Sequence, residues 1–600
     1  MDILKRYLFL YTRHRGPYFL GGVFLIATNA IALAIPRIFG WAIDDLEAGA
    51  THGLILSYAG AIVLLAVLQT VMRVGSRIFV LSVSRRIDYE MKGMLHNRLI
   101  HLAPSFFSVT NTGDLMSRMT NDVMLVRALG GPGVLYFFNA FVMYALGLAY
   151  MVSISWRLTL VVFLPLPIVA ILVRILVHRV RDYVTRARIA LSDLNTIVQE
   201  NLSGVMVVKS FALEEAQNLR FENQSAAYMD FGLREAWTRA QMIPVVGLGG
   251  GLAAVVVIGF GGRMVSAGDL SIGDLVAVMS YVGVMVMPTV ALGWILSLVQ
   301  RGAAALERLD EILTAPVTIS SPDSACRIGD GPLPVVIKGL NFRYDDHLRN
   351  YVGILKLDET FESGRRHALH DIDFVAKEGG YVAIVGRVGS GKSTLLKAIQ
   401  HLIEVPEGSV FVGGVDVAEV ELDELRQRVG FVPQDDFLFS TTVFDNIAYG
   451  QPDATRDKVD EAAQIAGLLV DLESLPDGLH TVVGERGSTL SGGQRQRVAV
   501  ARAILIDSPI LLLDNALSNV DSETERKILD GLRTNAARNA GRTLVVVSNR
   551  IGAIQDADHI YVMDEGRVVN HGPHAQLIQH PGLYANMFEQ QQLSAELEQF

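Results

Sequence analysis

Residues 386–393 read Gly-Arg-Val-Gly-Ser-Gly-Lys-Ser, the pattern in this chain with the most specific chemistry. They follow the apolar run YVAIV, which predicts a strand, and they open the run STLLKAIQHL, which predicts a helix. Glycines let backbone N–H groups turn toward phosphates, and the start of a helix adds positive partial charge. In this P-loop pattern Lys392 reaches the outer phosphates and Ser393 ligates Mg²⁺. The predicted phosphate-binding residues are Gly386, Arg387, Val388, Gly389, Ser390, Gly391, Lys392, Ser393 and Thr394.

A second pattern is the apolar run Ile-Leu-Leu-Leu-Asp at 510–514. A buried strand that ends in a carboxylate is common, so this run is weak evidence by itself. Downstream of a P-loop it gains weight, because a Walker B strand places its terminal Asp against Mg²⁺. Asp514 is therefore a predicted magnesium ligand together with Ser393.

These residues need a sheet to position them. After residue 334, short β-rich runs alternate with helical segments, and this alternation predicts an α/β domain with a largely parallel central sheet. The runs that predict strands are PVVIKGLNF, YVAIVG, RVGFVP, ILLLD and TLVVVS.

The first half of the chain has a different character. Half of the 600 residues are hydrophobic and only 19% are charged, and the apolar excess lies in long runs that fit the thickness of a bilayer. We expect six membrane-spanning helices, at about 18–43, 55–80, 130–153, 158–179, 243–267 and 274–299.

Two of the gaps between these spans are long, basic and helically periodic, which favours the cytoplasm for both gaps and both termini. Each gap predicts long helices that leave the membrane and reverse through a short cytoplasmic helix. The expected organisation is a transmembrane domain at 1–312, a linker at 313–334 and a nucleotide-binding domain at 335–600. A net charge of −10 does not suggest a nucleic-acid partner, and the single cysteine, Cys326, excludes an intrachain disulfide.

The string LSGGQ before RQRVAVARA resembles the signature of the ABC ATPases. With the six spans, the whole chain resembles one half of an ABC exporter. The resemblance implies that Tyr344 stacks on adenine, that Gln434 touches Mg²⁺, and that Ser518 to Asp521 form the D-loop. The implied signature residues are Leu490, Ser491, Gly492, Gly493 and Gln494.

That resemblance also implies a mechanism and a partner. Two halves close head to tail in a lipid bilayer and bind two ATP molecules, each between the P-loop of one half and the signature of the other. Closure turns the spans outward and hydrolysis resets them. We therefore expect a homologous second half-transporter, with ATP and Mg²⁺ as cofactors. The resemblance and the absence of a recognisable targeting segment favour the plasma membrane of a bacterium.

Two positions depart from the family pattern. Asn515 stands where the family has Glu as general base, and Asn549 stands where it has His at the γ-phosphate. An amide does not accept a proton near neutral pH. Both departures fall in the composite site built on this P-loop, whereas the signature is intact. This asymmetry resembles the degenerate-site subunit of bacterial heterodimeric multidrug-type ABC exporters. The resemblance favours a heterodimer in which this chain supplies an impaired ATP site and completes a competent site on its partner.

Other interpretations stay open. The two asparagines are also compatible with an active homodimeric exporter, with engineered substitutions, or with an ATP-gated regulatory membrane protein that does not pump. The mostly apolar spans favour hydrophobic or amphipathic cargo such as drugs or lipids. Their polar positions Asn29, Gln69 and Asn139 suit interhelical hydrogen bonds as well as cargo contacts.

An unusual segment at 345–367 interrupts a β-hairpin that is short in the resembling family. A surface loop is the ordinary interpretation of such a segment, and a regulatory or partner-contacting element beside the adenine pocket is the alternative.

Overall fold

The structure of the chain is a computed structural model that describes residues 6–344, 351, 368–538 and 541–597. It divides into two compact units. The first comprises Met1–Leu95 and Ser117–Asp310, and the second comprises His96–Met116 and Glu311–Phe600. The segment His96–Met116 therefore groups with the C-terminal half, although it precedes most of the helical half in sequence.

The N-terminal half is helical throughout. Its long helices exceed the hydrocarbon core of a bilayer, since His52–His101 alone extends roughly 75 Å at 1.5 Å per residue. Two predicted short reversal helices are present, Pro104–Val109 and Val205–Ser210. The other α-helices are Leu8–Thr12, Arg15–Glu47, Thr112–Ser117, Val123–Ala128, Val134–Ile154, Trp156–Val162, Leu166–Ser203, Glu214–Ala240, Met242–Val256, Gly262–Ser266 and Ile272–Thr314, with π-helical turns at Arg118–Asp122, Leu129–Gly133 and Val257–Gly261.

Five helical stretches in the described residues are long and apolar enough to cross a membrane. They are Arg15–Glu47, His52–His101, Thr112–Ile154, Glu214–Ser266 and Ile272–Thr314. Each contains most of one predicted span. The predicted span at 158–179 is not among them, and its helix is broken between Val162 and Leu166 beside Pro165. The count of six spans stays a prediction.

The polar span residues have contrasting surroundings. Asn29 is buried, and its side-chain amide donates to Asn139 Oδ1 at 3.2 Å. This interhelical hydrogen bond joins the two amides, as is typical of polar residues between packed membrane helices. Gln69 is partly exposed on His52–His101.

The C-terminal half contains two sheets. Strands β1 (Val335–Phe342), β2 (Leu369–Ala376), β4 (Val410–Val412) and β5 (Val415–Asp416) form an antiparallel sheet in the order β2-β1-β4-β5. The strands of the second sheet are β3 (Tyr381–Gly386), β6 (Val429–Val432), β7 (Ile510–Asp514), β8 (Thr543–Val547), β9 (His559–Asp564) and β10 (Arg567–Gly572). Their order is β10-β9-β3-β8-β7-β6, and the pairs are parallel except for β9 with β10.

The central strands of the second sheet position the site. Every residue of β3, β7 and β8 is buried, as expected for parallel strands covered on both faces. The predicted α/β domain with a largely parallel sheet is thus confirmed. The sequence did not predict the second, antiparallel sheet. The α-helices of this half are Lys392–Ile399, Leu422–Arg428, Val443–Ile447, Arg456–Ile465, Leu469–Ser474, Gly492–Leu505, Ser522–Arg538, Ile551–Ile554, His574–Gln579 and Leu583–Leu597.

Candidate nucleotide-binding site

The P-loop connects the end of β3 to the helix Lys392–Ile399. Two of its glycines are required by space. A Cβ at Gly386 would clash with the carbonyl oxygen of Met563. Gly391 has a φ of +98°, and a Cβ there would lie 2.5 Å from the carbonyl oxygen of Ala368. Gly391 immediately precedes the helix, and the N–H groups of a first helical turn have no intrahelical acceptor, so they can face phosphates.

Lys392 lies inside the loop that precedes it. Its ammonium group donates to the carbonyl oxygens of Gly386 and Arg387, both at 2.8 Å. Burial lowers the pKa of Lys392, and the nearby Asp514 carboxylate acts in the opposite direction. The bonds to two carbonyls hold the side chain against the loop, where a phosphate oxygen would be a stronger acceptor than a neutral carbonyl.

Asp514 ends β7 opposite the start of the P-loop helix. Its Oδ1 accepts a hydrogen bond from Ser393 Oγ at 3.0 Å. Burial raises the pKa of this carboxyl, and the hydrogen bond from Ser393 opposes that effect. A hydroxyl and a carboxylate at this separation are hard oxygen donors of the kind that Mg²⁺ takes beside phosphate oxygens. The donor set therefore fits magnesium.

The predicted residues converge on one cleft of about 300 Å³. Predicted positions outside its lining are Gly386 and Arg387, the D-loop residue Asp521, and the signature. The lining consists of Tyr344, Ala368, Val388, Gly389, Ser390, Gly391, Lys392, Ser393, Thr394, Gln434, Asp514, Asn515, Val547 and Asn549.

Tyr344 supplies an aromatic wall to the cleft. Its hydroxyl lies 3.1 Å from Thr394 Oγ1, at the beginning of the P-loop helix. Phe342 packs edge-to-face on the Tyr344 ring, with centroids 4.9 Å apart. The ring is thereby fixed beside the phosphate loop, where it can stack on a planar base.

The two asparagines face the same cleft as the P-loop. Asn515 follows β7 with a φ of +52°, a conformation that Asn tolerates better than most residues. Its backbone N–H donates to the carbonyl oxygen of Val547 at 2.9 Å. Asn549 Oδ1 is buried without a hydrogen-bond partner in the described part of the chain. Asp514 is the one carboxylate among the described lining residues, and it is bonded to Ser393.

The loop around Asn549 is held by residues that the sequence did not predict. Gln591, on the helix Leu583–Leu597, donates to the carbonyl oxygen of Asn549 at 2.6 Å. Its side-chain oxygen accepts from the backbone N–H of Ile551 at 2.9 Å. One amide thus bridges both sides of the loop. A glutamine in a polar C-terminal run carries no local signal of this role.

Arg550 was missed as well. Its guanidinium donates to the carbonyl oxygen of Ser518 in the D-loop segment and to the Glu525 carboxylate, both at 3.0 Å. Glu525 is almost fully buried, and burial raises its pKa despite the guanidinium. Gln496 bonds the same segment from the signature helix, through Ser518 Oγ at 3.1 Å. The signature helix, the D-loop segment and the loop at Asn549 are therefore joined by hydrogen bonds.

The signature begins the helix Gly492–Leu505. Ser491 is its N-cap and forms a capping box with Gln494, in which each side chain bonds the backbone N–H of the other. Asp521 similarly accepts from the backbone N–H of Thr524 and starts the helix Ser522–Arg538. Neither segment is among the described residues that line the cleft.

Comparison with known proteins identifies the family. The model of the ABC transporter transmembrane region matches residues 18–289, and the ABC transporter model matches residues 369–518. The multidrug resistance-like ATP-binding protein MdlA of Escherichia coli (strain K12) is 35% identical over 98% of this chain and 96% of its own length. The chain belongs to the ABC transporters.

Two other relatives of the transporter agree with this assignment. The probable multidrug resistance ABC transporter ATP-binding/permease protein YheI of Bacillus subtilis (strain 168) is 33% identical over 99% of this chain and 98% of its own length. A solved structure of a bacterial Atm1-family ABC exporter with ATP bound superposes with a TM-score of 0.75 at 26% identity, covering 96% of this chain and 98% of that one. The transporter is thus a multi-pass membrane protein with a fused ABC ATPase domain, and transporters of this type act as dimers.

Proposed function

We propose that this ABC transporter is an exporter subunit that binds ATP firmly, hydrolyses it slowly, and completes a competent ATP site on a homologous partner. Asn515 carries the proposal. It follows the strand that presents Asp514, lines the nucleotide cleft, and has an amide where proton abstraction from water requires a base.

Binding of ATP with Mg²⁺ is supported by the parts that remain. Lys392, Ser393 and Asp514 converge on the phosphate end of the cleft, and Tyr344 lies beside it. These side chains bind and orient nucleotide without the missing base. Loss of a positioned general base typically slows a reaction by about 10²- to 10⁴-fold, or about 3–5 kcal/mol of barrier. The missing base therefore lowers the rate of ATP hydrolysis far more than it lowers the affinity for ATP.

The intact signature supports a second, competent site. Ser491 caps its helix, and the positive end of that helix favours an anion such as phosphate. A Cβ on Gly492 would lie 3.3 Å from the side-chain nitrogen of Asn519, and a Cβ on Gly493 would lie 3.0 Å from its backbone oxygen, so the two glycines let the signature pack closely against the D-loop segment. A partner half that carries Glu and His at the positions of Asn515 and Asn549 would set the turnover.

The proposed cargo is a hydrophobic or amphipathic compound, such as a drug or lipid. Two relatives carry names that refer to multidrug resistance, and the spans are mostly apolar. The proposed location is the inner membrane with both termini and the ATPase domain in the cytoplasm. An ATP-gated protein that does not pump is distinguished by cargo uptake into inverted vesicles, since it would show none with ATP.

The direct test uses the chain purified with a tag from its native membrane and, separately, alone after overexpression. We expect the native preparation to contain a homologous half and to release phosphate rapidly. The chain alone should bind ATP but release phosphate at least about 100-fold more slowly. Lys392→Ala should abolish binding in the chain alone. Rapid hydrolysis by the isolated chain would overturn the impaired-site proposal.

A further inference from the structure

Tyr351 belongs to the segment 345–367, which family membership leaves without a role. Its side chain is fully buried, and it is among the largest of the fully buried side chains in the described residues. Its ring packs edge-to-face on Phe106, with centroids 5.5 Å apart and planes at 75°. Its hydroxyl lies 3.4 Å from both the carbonyl oxygen of Pro316 and Thr318 Oγ1. A tyrosine with this burial is fastened to its surroundings, which an idle surface loop would not require.

Phe106 lies in the reversal helix Pro104–Val109, within the segment His96–Met116. That segment groups with the nucleotide-binding half rather than with the other helices. Phe106 is fully buried as well. A second attachment comes from Arg98, whose guanidinium donates to the carbonyl oxygen of Ala315 at 2.5 Å. The contact between Tyr351 and Phe106 therefore lies inside one compact unit.

The other end of this connection is the nucleotide cleft. Tyr351 follows Tyr344 by seven positions in the chain, and Tyr344 lines the cleft. If a bound base orders Tyr344, it therefore acts seven positions along the chain from a buried ring that packs on the reversal helix. A short stretch of chain that ends in a packed aromatic pair can transmit a change in local stability, here from Tyr344 to Phe106.

We propose that Tyr351 is an anchor through which nucleotide binding at Tyr344 stabilises the reversal segment His96–Met116. Tyr351 then acts as an added link between the cleft and the reversal segment, which lie in the same compact unit. The inference shares ATP binding with the proposed function, but it requires neither impaired hydrolysis nor a second subunit.

Hydrogen exchange read by mass spectrometry tests this on the full chain in lipid nanodiscs, with and without ATP and Mg²⁺. Two peptides are compared, one covering 386–396 and one covering 96–116. In the wild type, ATP should slow exchange in both. In Tyr351→Ala, ATP should still protect 386–396, whereas exchange in 96–116 should become faster by roughly 3- to 10-fold and lose its response to ATP.

Matched variants separate anchoring from general destabilisation. Tyr351→Phe keeps the ring and should retain the wild-type response. Tyr584→Ala removes an equally buried tyrosine of the same unit that bonds His574, and it should leave the response of 96–116 intact. If Tyr351→Ala does not fold, Tyr351→Leu, which keeps apolar volume without the ring, carries the test.

Phe106→Ala completes a double-mutant cycle. Combined with Tyr351→Ala it should add little to either single variant, because both remove one contact. Unchanged ATP protection of 96–116 in Tyr351→Ala, or a wild-type 96–116 that ignores ATP while 386–396 responds, would overturn this inference alone. A wild-type 386–396 peptide that ATP does not protect would instead contradict ATP binding, and with it the proposed function.

Discussion

Restoring a carboxylate at position 515 should convert the cleft from holding ATP to hydrolysing it. The backbone of Asn515 is fixed by its hydrogen bond to Val547 at 2.9 Å and by a φ of +52°. A longer side chain would therefore start from the same point in the cleft. We expect Asn515→Glu, alone or with Asn549→His, to raise the rate of phosphate release by about 10²- to 10⁴-fold, equivalent to about 3–5 kcal/mol of barrier.

The matched control is Asn515→Gln. Glutamine has the size of glutamate and meets the same penalty of about 1 kcal/mol for a left-handed conformation that asparagine tolerates better. It contributes no base. The two variants should therefore lose similar thermal stability and bind ATP equally, and only the glutamate variant should gain rate.

The assay is single-turnover phosphate release from the purified chain in nanodiscs that hold two copies, so that each signature can complete the opposite site. Lys392→Ala in the same background should remove the gain. Equal rates for Asn515→Glu and Asn515→Gln, or a wild-type rate that already matches the glutamate variant, would refute the assignment of position 515 as the missing base.

Three further predictions concern binding and stability. Ser393→Ala should weaken Mg²⁺-dependent ATP binding by about 10- to 100-fold and leave binding in EDTA nearly unchanged, as measured by calorimetry. Tyr344→Ala should cost about 1–3 kcal/mol of ATP affinity through lost stacking, whereas Tyr344→Phe should bind like the wild type. Gln591→Ala should lower the free energy of unfolding by about 1–3 kcal/mol, because it leaves the carbonyl of Asn549 and the N–H of Ile551 without their partner. Gln591→Glu should lose at least as much, because an ionised carboxylate oxygen would then face the carbonyl oxygen of Asn549 in place of the donor. A melting temperature of Gln591→Ala equal to that of the wild type would show that this bridge is not formed.

The nucleotide site was largely predictable because its chemistry is local. A P-loop needs glycines, a lysine and a serine in fixed order between a strand and a helix, and that order is visible from Gly386 to Ser393. Asp514 was recognisable because an apolar strand must bury its side chains before it presents a carboxylate. Asn515 and Asn549 were conspicuous only through the family resemblance, which implies Glu and His at these two positions.

The helical half was predictable for a similar reason. Long apolar runs have few alternatives to a membrane helix, so five of the predicted spans appear in helices long and apolar enough to cross a bilayer. The predicted span at 158–179 is less regular, because Pro165 interrupts its helix. Hydropathy averages over such a break, whereas backbone hydrogen bonding does not.

Only the tertiary structure revealed the contacts between residues that lie far apart in sequence. Gln591 bridging the loop at Asn549, Asn29 pairing with Asn139, and Tyr351 packing on Phe106 depend on how separate elements meet. Sequence determined which residues could bind phosphate, metal and base, since those tasks require particular side chains at short spacing. Which polar and aromatic side chains hold those elements in place is set by packing, and packing is not encoded within any single stretch of the chain.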